Sequence, residues 1–207
     1  MFYCFQNDME SLPDTTKHPG YYAGCVVVDS PQIAEHRARL QGVPCHVVDS
    51  ELDLINWVID AVKEWDPDVL TGWELHNASW GYLSARAAES FDLEMVRDLS
   101  RMVSDTTQNR KDGYSAHHTS TFKVNGRHTL NIWRIMRGEV NLNSYSFENV
   151  VFHVLHRRIP RYSAANLTAL WKSRSPEHTA RVLHMLFERV VIYAEVMDTA
   201  EIISKNA

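Results

Sequence analysis

Asp66-Pro67-Asp68-Val69-Leu70-Thr71-Gly72-Trp73-Glu74 is followed, after a short gap, by Ser79-Trp80-Gly81-Tyr82-Leu83 and then Arg86-Ala87. Pro67 pushes the residue before it out of the helical region, so a preceding helix must stop there. Asp66 and Asp68 form a D-x-D pair, and turn and cap chemistry is the better account of it. Val69 to Trp73 is a short apolar run that predicts a buried strand. Trp80 to Glu89, with Tyr82, Leu83, Ala85 and Ala87, predicts a helix.

Outward from this unit, strands and helices continue to alternate. Upstream, Leu52, Ile55, Val58, Ile59 and Val62 recur at three- and four-residue steps, which predicts one amphipathic helix. Asp49 or Ser50 can cap it, and Glu51 and Asp53 suit its first turn. Phe2–Gln6, Ala23–Asp29 and Cys45–Val48 read as strands, the first two joined by a long loop rich in Pro, Asp and Gly. Downstream, residues 104–119 predict a polar loop. Thr121–Val124 and Thr129–Ile132 flank Asn125-Gly126, the strongest short signal for a hairpin. Ile132–Arg137 turns helical. Helices follow from Ser146, from Ser163 to Lys172, and from Ser175-Pro176 over residues 176–203. Strands first, then alternation, then helices predicts one α/β domain over residues 1–207, with a mixed sheet flanked by helices.

With 44% hydrophobic residues, the 207-residue chain can build a sizeable core. No apolar run reaches bilayer length. Met1-Phe2-Tyr3-Cys4-Phe5 has no basic leader, so no signal peptide is expected. Cys4, Cys25 and Cys45 are odd in number and form no C-x-x-C pair, which argues against a disulfide scaffold or zinc ribbon and for a reducing compartment. The net charge is −5, unlike a dedicated nucleic-acid binder. Its distribution is uneven. Residues 1–126 carry 10 Lys/Arg against 19 Asp/Glu, and residues 127–189 carry 10 against 4. A basic back could face phosphate, or the charges could simply be solvated.

The segment from Asp66 to Ala87 resembles the second exonuclease motif of B-family DNA polymerases. That motif reads D-P-D, two apolar residues, T-G-Y-N, then F-D-x-P-Y-L and R-A. Tyr145-Ser146-Phe147-Glu148-Asn149-Val150 with Phe152-His153-Val154-Leu155 resembles the family's Y-S-L-N-x-V-S-F-x-F-L helix, and Gly126-Arg127 its G-R strand. Phe2-Tyr3-Cys4, Leu12-Pro13-Asp14-Thr15, Ser79–Leu83 and Leu130–Arg137 look like the zeta branch of that family. The resemblance covers essentially the whole chain. It implies a ribonuclease-H-like exonuclease fold: a mixed five-stranded sheet flanked by helices. The first, central strand is expected to be missing from this chain, which looks truncated at both ends. A sheet without its central strand leaves backbone groups unpaired, so the isolated chain is expected to be marginally stable.

The family's 3′→5′ exonuclease uses two divalent cations held by four carboxylates, and a metal-bound water attacks the terminal phosphodiester. Hard cations demand oxygen ligands. The second motif's Asp falls on Ser79, its Asn on Glu74 and its aromatic on Ala78. The third motif, Y-x-x-x-D, is placed at Met185 and Arg189. The acid that commonly ends the G-R strand is Asn131. These losses imply an inactive exonuclease with no catalytic residue and no metal in this chain. The resemblance further implies a structural, DNA-guiding role inside a translesion polymerase. Its partners would be primer–template DNA and the accessory subunits of the zeta complex. Magnesium would sit in a palm domain, and iron–sulfur or zinc at C-terminal cysteines, both outside this chain. The location would be nuclear.

Two rival readings remain. One is an active metal-dependent exonuclease with rearranged ligands, in which Glu74 or Glu188 substitutes for a lost acid. The other is a non-catalytic interaction module. Arg157, Arg158 and Arg161 are the best candidates for phosphate contact, against a plain solvated helix end. His153 and His156 lie three apart without a third zinc ligand in view. His117 and His118 read as solvated. The six tryptophans read as packing residues.

Overall fold

The computed structural model describes residues 1–7, 21–30, 33, 43–102 and 122–206. The loop expected at 104–119, with His117 and His118, lies outside the described residues. In chain order the elements are β1 (Phe2–Gln6), β2 (Tyr21–Val28), β3 (Cys45–Val48), α1 (Glu51–Trp65), β4 (Val69–Gly72), α2 (Trp80–Phe91), α3 (Met95–Leu99), β5 (His128–Asn131), α4 (Ile132–Glu139), α5 (Phe147–Leu155), α6 (Ala164–Lys172), α7 (Pro176–Thr199) and α8 (Ile202–Asn206). They divide into two compact units, residues 1–54 with 146–206 and residues 55–145.

In the first unit, β2 lies between β1 and β3. It runs antiparallel to β1, with Tyr3 opposite Gly24, and parallel to β3, with Cys25 opposite Cys45. A strand turns alternate residues to one face. Ala23, Cys25 and Val27 are buried in this way. A helix turns residues four apart to one face, and Leu183, Phe187 and Val191 of α7 meet those strand residues in the core. The Tyr21 hydroxyl donates to the Asp198 carboxylate, tying the start of β2 to the end of α7. Gly24 is required by close approach, because a Cβ there would lie 2.5 Å from the Tyr3 hydroxyl and 2.8 Å from the Pro44 carbonyl oxygen. The long helix expected over 176–203 ends at Thr199 instead. Glu201 takes a left-handed φ of 52°. The chain turns there and restarts as α8, with Ile202 buried.

In the second unit, β4 and β5 are parallel, with Val69 opposite His128 and Gly72 opposite Asn131. Among the described residues the hairpin expected across Asn125-Gly126 does not form, since residues 122–124 join no strand. Asn125-Gly126 is a turn, with Gly126 at φ 81°. The residues before it bond elsewhere: the Phe122 N–H donates to His76 Nδ1. The turn's own Asn125 carbonyl accepts from the Arg101 N–H. Among the described residues the five strands make a three-stranded mixed sheet and a two-stranded parallel sheet. The buried stripe of α1 is Ile55, Val58, Ile59, Ala61 and Val62, close to the periodicity that predicts it. Helix α3 carries no strong sequence signal, yet Met95 and Leu99 are fully buried.

Candidate functional site

The chain leaves β4 at Gly72 and re-enters helix at Trp80, so residues 73–79 form a tight connection. Ser79 packs against the strand end: a Cβ on Gly72 would lie 2.5 Å from Ser79 Oγ. Trp80 Nε1 donates to the Thr71 carbonyl at 2.9 Å, and the Gly81 N–H donates to the Leu75 carbonyl at 2.9 Å. These bonds fix the orientation of α2 on β4. Trp80 also stacks on Phe122, with ring centroids 6.1 Å apart.

Glu74 lies in this connection, and protein donors engage both of its oxygens. The Asn77 N–H donates at 2.7 Å and Asn131 Nδ2 at 3.3 Å. Burial acts to raise its pKa. The hydrogen bonds from Asn77, Asn131 and His76 outweigh that and hold the carboxyl below the usual carboxylate range. Asn131 has a second task, since its side-chain oxygen caps α4 by accepting from the Arg134 N–H.

A cation–carboxylate cluster lies at the other end of β4. Asp66 takes a left-handed φ of 43°, so the expected turn is present. Its carboxylate also receives Arg101 Nε and Arg127 Nη1, each at 2.8 Å. Asp68 receives Arg101 Nη1 at 2.6 Å. The hydrogen bond from Arg101 is the main cause holding the Asp66 carboxyl below its ordinary pKa. Arg127 continues inward to the carbonyls of Leu99 and Pro67, at 2.9 and 2.5 Å. In sequence, Asp66 and Asp68 read as turn chemistry alone, and nothing local gives Arg101 or Arg127 a partner. The one hint is the unusual density of Asp next to Pro67.

On α7, Met185 is half-buried. Arg189 Nη1 pairs with Glu148 Oε1 at 2.6 Å, and its guanidinium stands 4.5 Å over the Phe147 ring. Burial pushes the Glu148 carboxyl up. The Arg189 hydrogen bond, with the positive fields of Arg189 and Arg161, outweighs it and leaves the pKa below the ordinary range. A depressed native pKa stabilises the fold above the unfolded carboxylate value near 4.3 and loses that stabilisation as pH falls through the native value. Glu148→Gln is therefore expected to cost about 1–2 kcal/mol at neutral pH and to flatten the acid limb of stability. Urea midpoints measured from neutral pH into the acid range check this. A variant with an unchanged acid limb would remove Glu148 from the account.

Arg157 Nη2 pairs with Glu195 at 2.9 Å. Arg158 lies 5.0 Å over the Phe152 ring, and Arg161 is exposed. His156 closes α5 with a left-handed φ of 52°. Glu188 lies 3.9 Å from His184 on the exposed side of α7.

Two divalent cations need several uncommitted carboxylate oxygens. Ser79 offers a neutral hydroxyl. Glu74 is occupied by protein donors. Arg189 is itself a cation. Among the described residues no group of three or more His, Cys, Asp or Glu could hold a metal ion. Among the described residues, the positions Ser79, Glu74 and Arg189 thus bring one carboxylate, already hydrogen-bonded, toward any divalent cation.

The family model for the exonuclease domain of family B DNA polymerases matches residues 4–150. The chain belongs to that family. It is 38% identical over 162 residues to the DNA polymerase zeta catalytic subunit of Schizosaccharomyces pombe, covering 77% of this chain and 11% of that protein. The zeta catalytic subunits of Mus musculus and Homo sapiens are each 32% identical over 222 residues, covering all of this chain and 7% of theirs. The chain thus spans about a tenth of the length of the relatives it matches. Mixed α/β architecture with small sheets and helices agrees with an exonuclease domain of B-family polymerases.

Proposed function

We propose that this chain is an exonuclease-like domain that has lost its nuclease chemistry and serves as a structural, DNA-guiding module of a translesion polymerase. The observation that carries this reading is the state of the degenerate positions. Ser79 is packed against Gly72, and Arg189 is locked onto Glu148, so neither place supplies an anion. A polymerase without proofreading keeps the mismatched or lesion-opposed ends it has extended, which suits bypass. The polymerase chemistry, with its magnesium, belongs to a palm domain, and metal at C-terminal cysteines belongs elsewhere in such a polymerase. Primer–template DNA, the accessory subunits of the zeta complex and the nucleus are the partners and place this reading assigns. The ribonuclease-H-like arrangement with a further central strand is part of the same proposal. Among the described residues β1 has a ladder partner on one side only, as does β4. Such edges suit an added strand.

The test is nuclease activity on a primer–template with a mismatched 3′ end, with magnesium or manganese. No nucleotide release is expected, and Glu74→Ala should change nothing. Metal-dependent release that disappears in Glu74→Ala would replace this reading with a working exonuclease on rearranged ligands.

A further inference from the structure

Between Phe152 and Arg181 the chain carries six Lys/Arg against one Glu. The structure shows how this charge is displayed. Helices α5 and α6 both pack on α7. Glu148 pairs with Arg189 and Arg157 with Glu195, so α5 runs in the same direction as α7. The connection after α5 then returns the other way, because the Tyr162 hydroxyl accepts from Arg181 Nη2 at 3.0 Å. From Glu195 back to Arg181 is about 21 Å of helix. The stretch from Arg157 to Tyr162 can cover about 17 Å when extended. It forms a strap along α7.

The cations of this strap are not equivalent. Arg157 is neutralised by Glu195. Arg161 adds a second positive field at Glu148, which already holds Arg189, so one positive charge is left over. Arg158 lies on the Phe152 ring and Arg181 on the Tyr162 ring, at 5.0 and 5.7 Å. Aromatic support holds a guanidinium in place without consuming its charge. Arg158, Arg161 and Arg181 are exposed, and they make no ion pair among the described residues. Exposed guanidinium groups, two of them held by aromatic rings, are the chemistry that follows a phosphodiester backbone.

The geometry points to Arg158, Arg161 and Arg181 as a backbone track for DNA, with Arg157 as a structural anchor. This inference rests on the DNA-guiding reading and narrows it to one surface. Its test is fluorescence anisotropy of a labelled oligothymidylate with the 207-residue chain over a salt series. The combined variant Arg158→Gln, Arg161→Gln, Arg181→Gln is expected to bind roughly tenfold or more weakly, and its salt slope should fall by about 0.7 for each phosphate no longer neutralised. Arg158→Gln alone, which breaks no protein hydrogen bond, should show the same effect on a smaller scale. The charge-matched control Lys63→Gln, Arg97→Gln, Arg134→Gln, all exposed in the other unit, should bind like the parent chain. Unfolding midpoints confirm that each variant folds. If the parent chain binds no DNA, the DNA-guiding reading falls and takes this inference with it. If the parent binds and the strap variants bind equally well, or the control weakens as much, only the track is overturned. Displacement by poly-glutamate as effective as by DNA would also overturn it, making the strap a dock for acidic protein.

Discussion

Arg127→Leu is expected to destabilise the second unit by about 2–4 kcal/mol, chiefly the cost of leaving two carbonyls without their donor. The Arg127 side chain is only 3% exposed. It does three things at once. It completes the ion pair with Asp66, and it satisfies the carbonyls of Pro67 and Leu99. Those carbonyls belong to the turn entering β4 and to the end of α3, which the guanidinium holds together with the chain entering β5. Leucine fills part of the volume and strands both carbonyls without a donor. Arg127→Lys keeps the charge but not the planar fork, so it should recover less than half of the loss. Asp68→Ala gives the contrast. Its carboxylate is 80% exposed, and an exposed pair contributes little. Urea unfolding of the three variants decides the matter. A Leu variant as stable as the Asp68 variant would mean that Arg127 is a surface residue and that this network does not organise the unit.

What can be read from the sequence follows the range of the interactions. Helices α5 and α6 are legible because their signals are local. Ser146 and Ser163 accept from the N–H three residues on, at Asn149 and Asn166. Pro176 likewise opens α7 where a first-turn proline predicts. The Asn125-Gly126 signal is equally local, and it predicts a turn that exists and a pairing absent among the described residues. β5 takes its partner from β4, nearly sixty residues earlier, and no short pattern encodes that parallel ladder. The same holds at the site. Ser79, Glu74, Met185 and Arg189 are singled out in the sequence only by the resemblance to the family's motifs, since nothing in their immediate neighbours marks them. The bond from Asn131 to Glu74 spans 57 residues and that from Arg127 to Pro67 spans 60. Both need the fold to become visible. The end of α7 shows the converse. Its apolar periodicity carries past Thr199 into Ile202, so the sequence reads as one helix, while Glu201 turns the chain to bury Ile202 from another direction.

Two glycines are expected to respond to alanine with opposite signs. Gly81 stands in the first turn of α2, where a Cβ would lie 1.8 Å from the His76 carbonyl oxygen and 2.6 Å from its carbon. Those atoms are backbone, so no rotamer change relieves the clash. The connection that carries Glu74 and Ser79 would have to move away from α2, breaking the bond from the Gly81 N–H to the Leu75 carbonyl. Overpacking usually costs about 1–3 kcal/mol and more where the backbone must shift, so Gly81→Ala is expected to lose about 3 kcal/mol or more. The better helix propensity of alanine recovers only about 1 kcal/mol of the gross cost. Gly138 lies in α4 with nothing within 4 Å of its would-be Cβ, so Gly138→Ala should gain roughly 0.5–1 kcal/mol from propensity alone. Thermal or urea unfolding of the pair, side by side, reads the difference. Equal behaviour of the two variants would show that the connection between β4 and α2 does not cross the helix as closely as described. The packed position of Ser79, which carries the proposed loss of the nuclease site, would then fall. A large loss at Gly81 with a gain at Gly138 would instead show that this connection is held by steric fit, so that a carboxylate placed at Ser79 would meet the same crowded strand end.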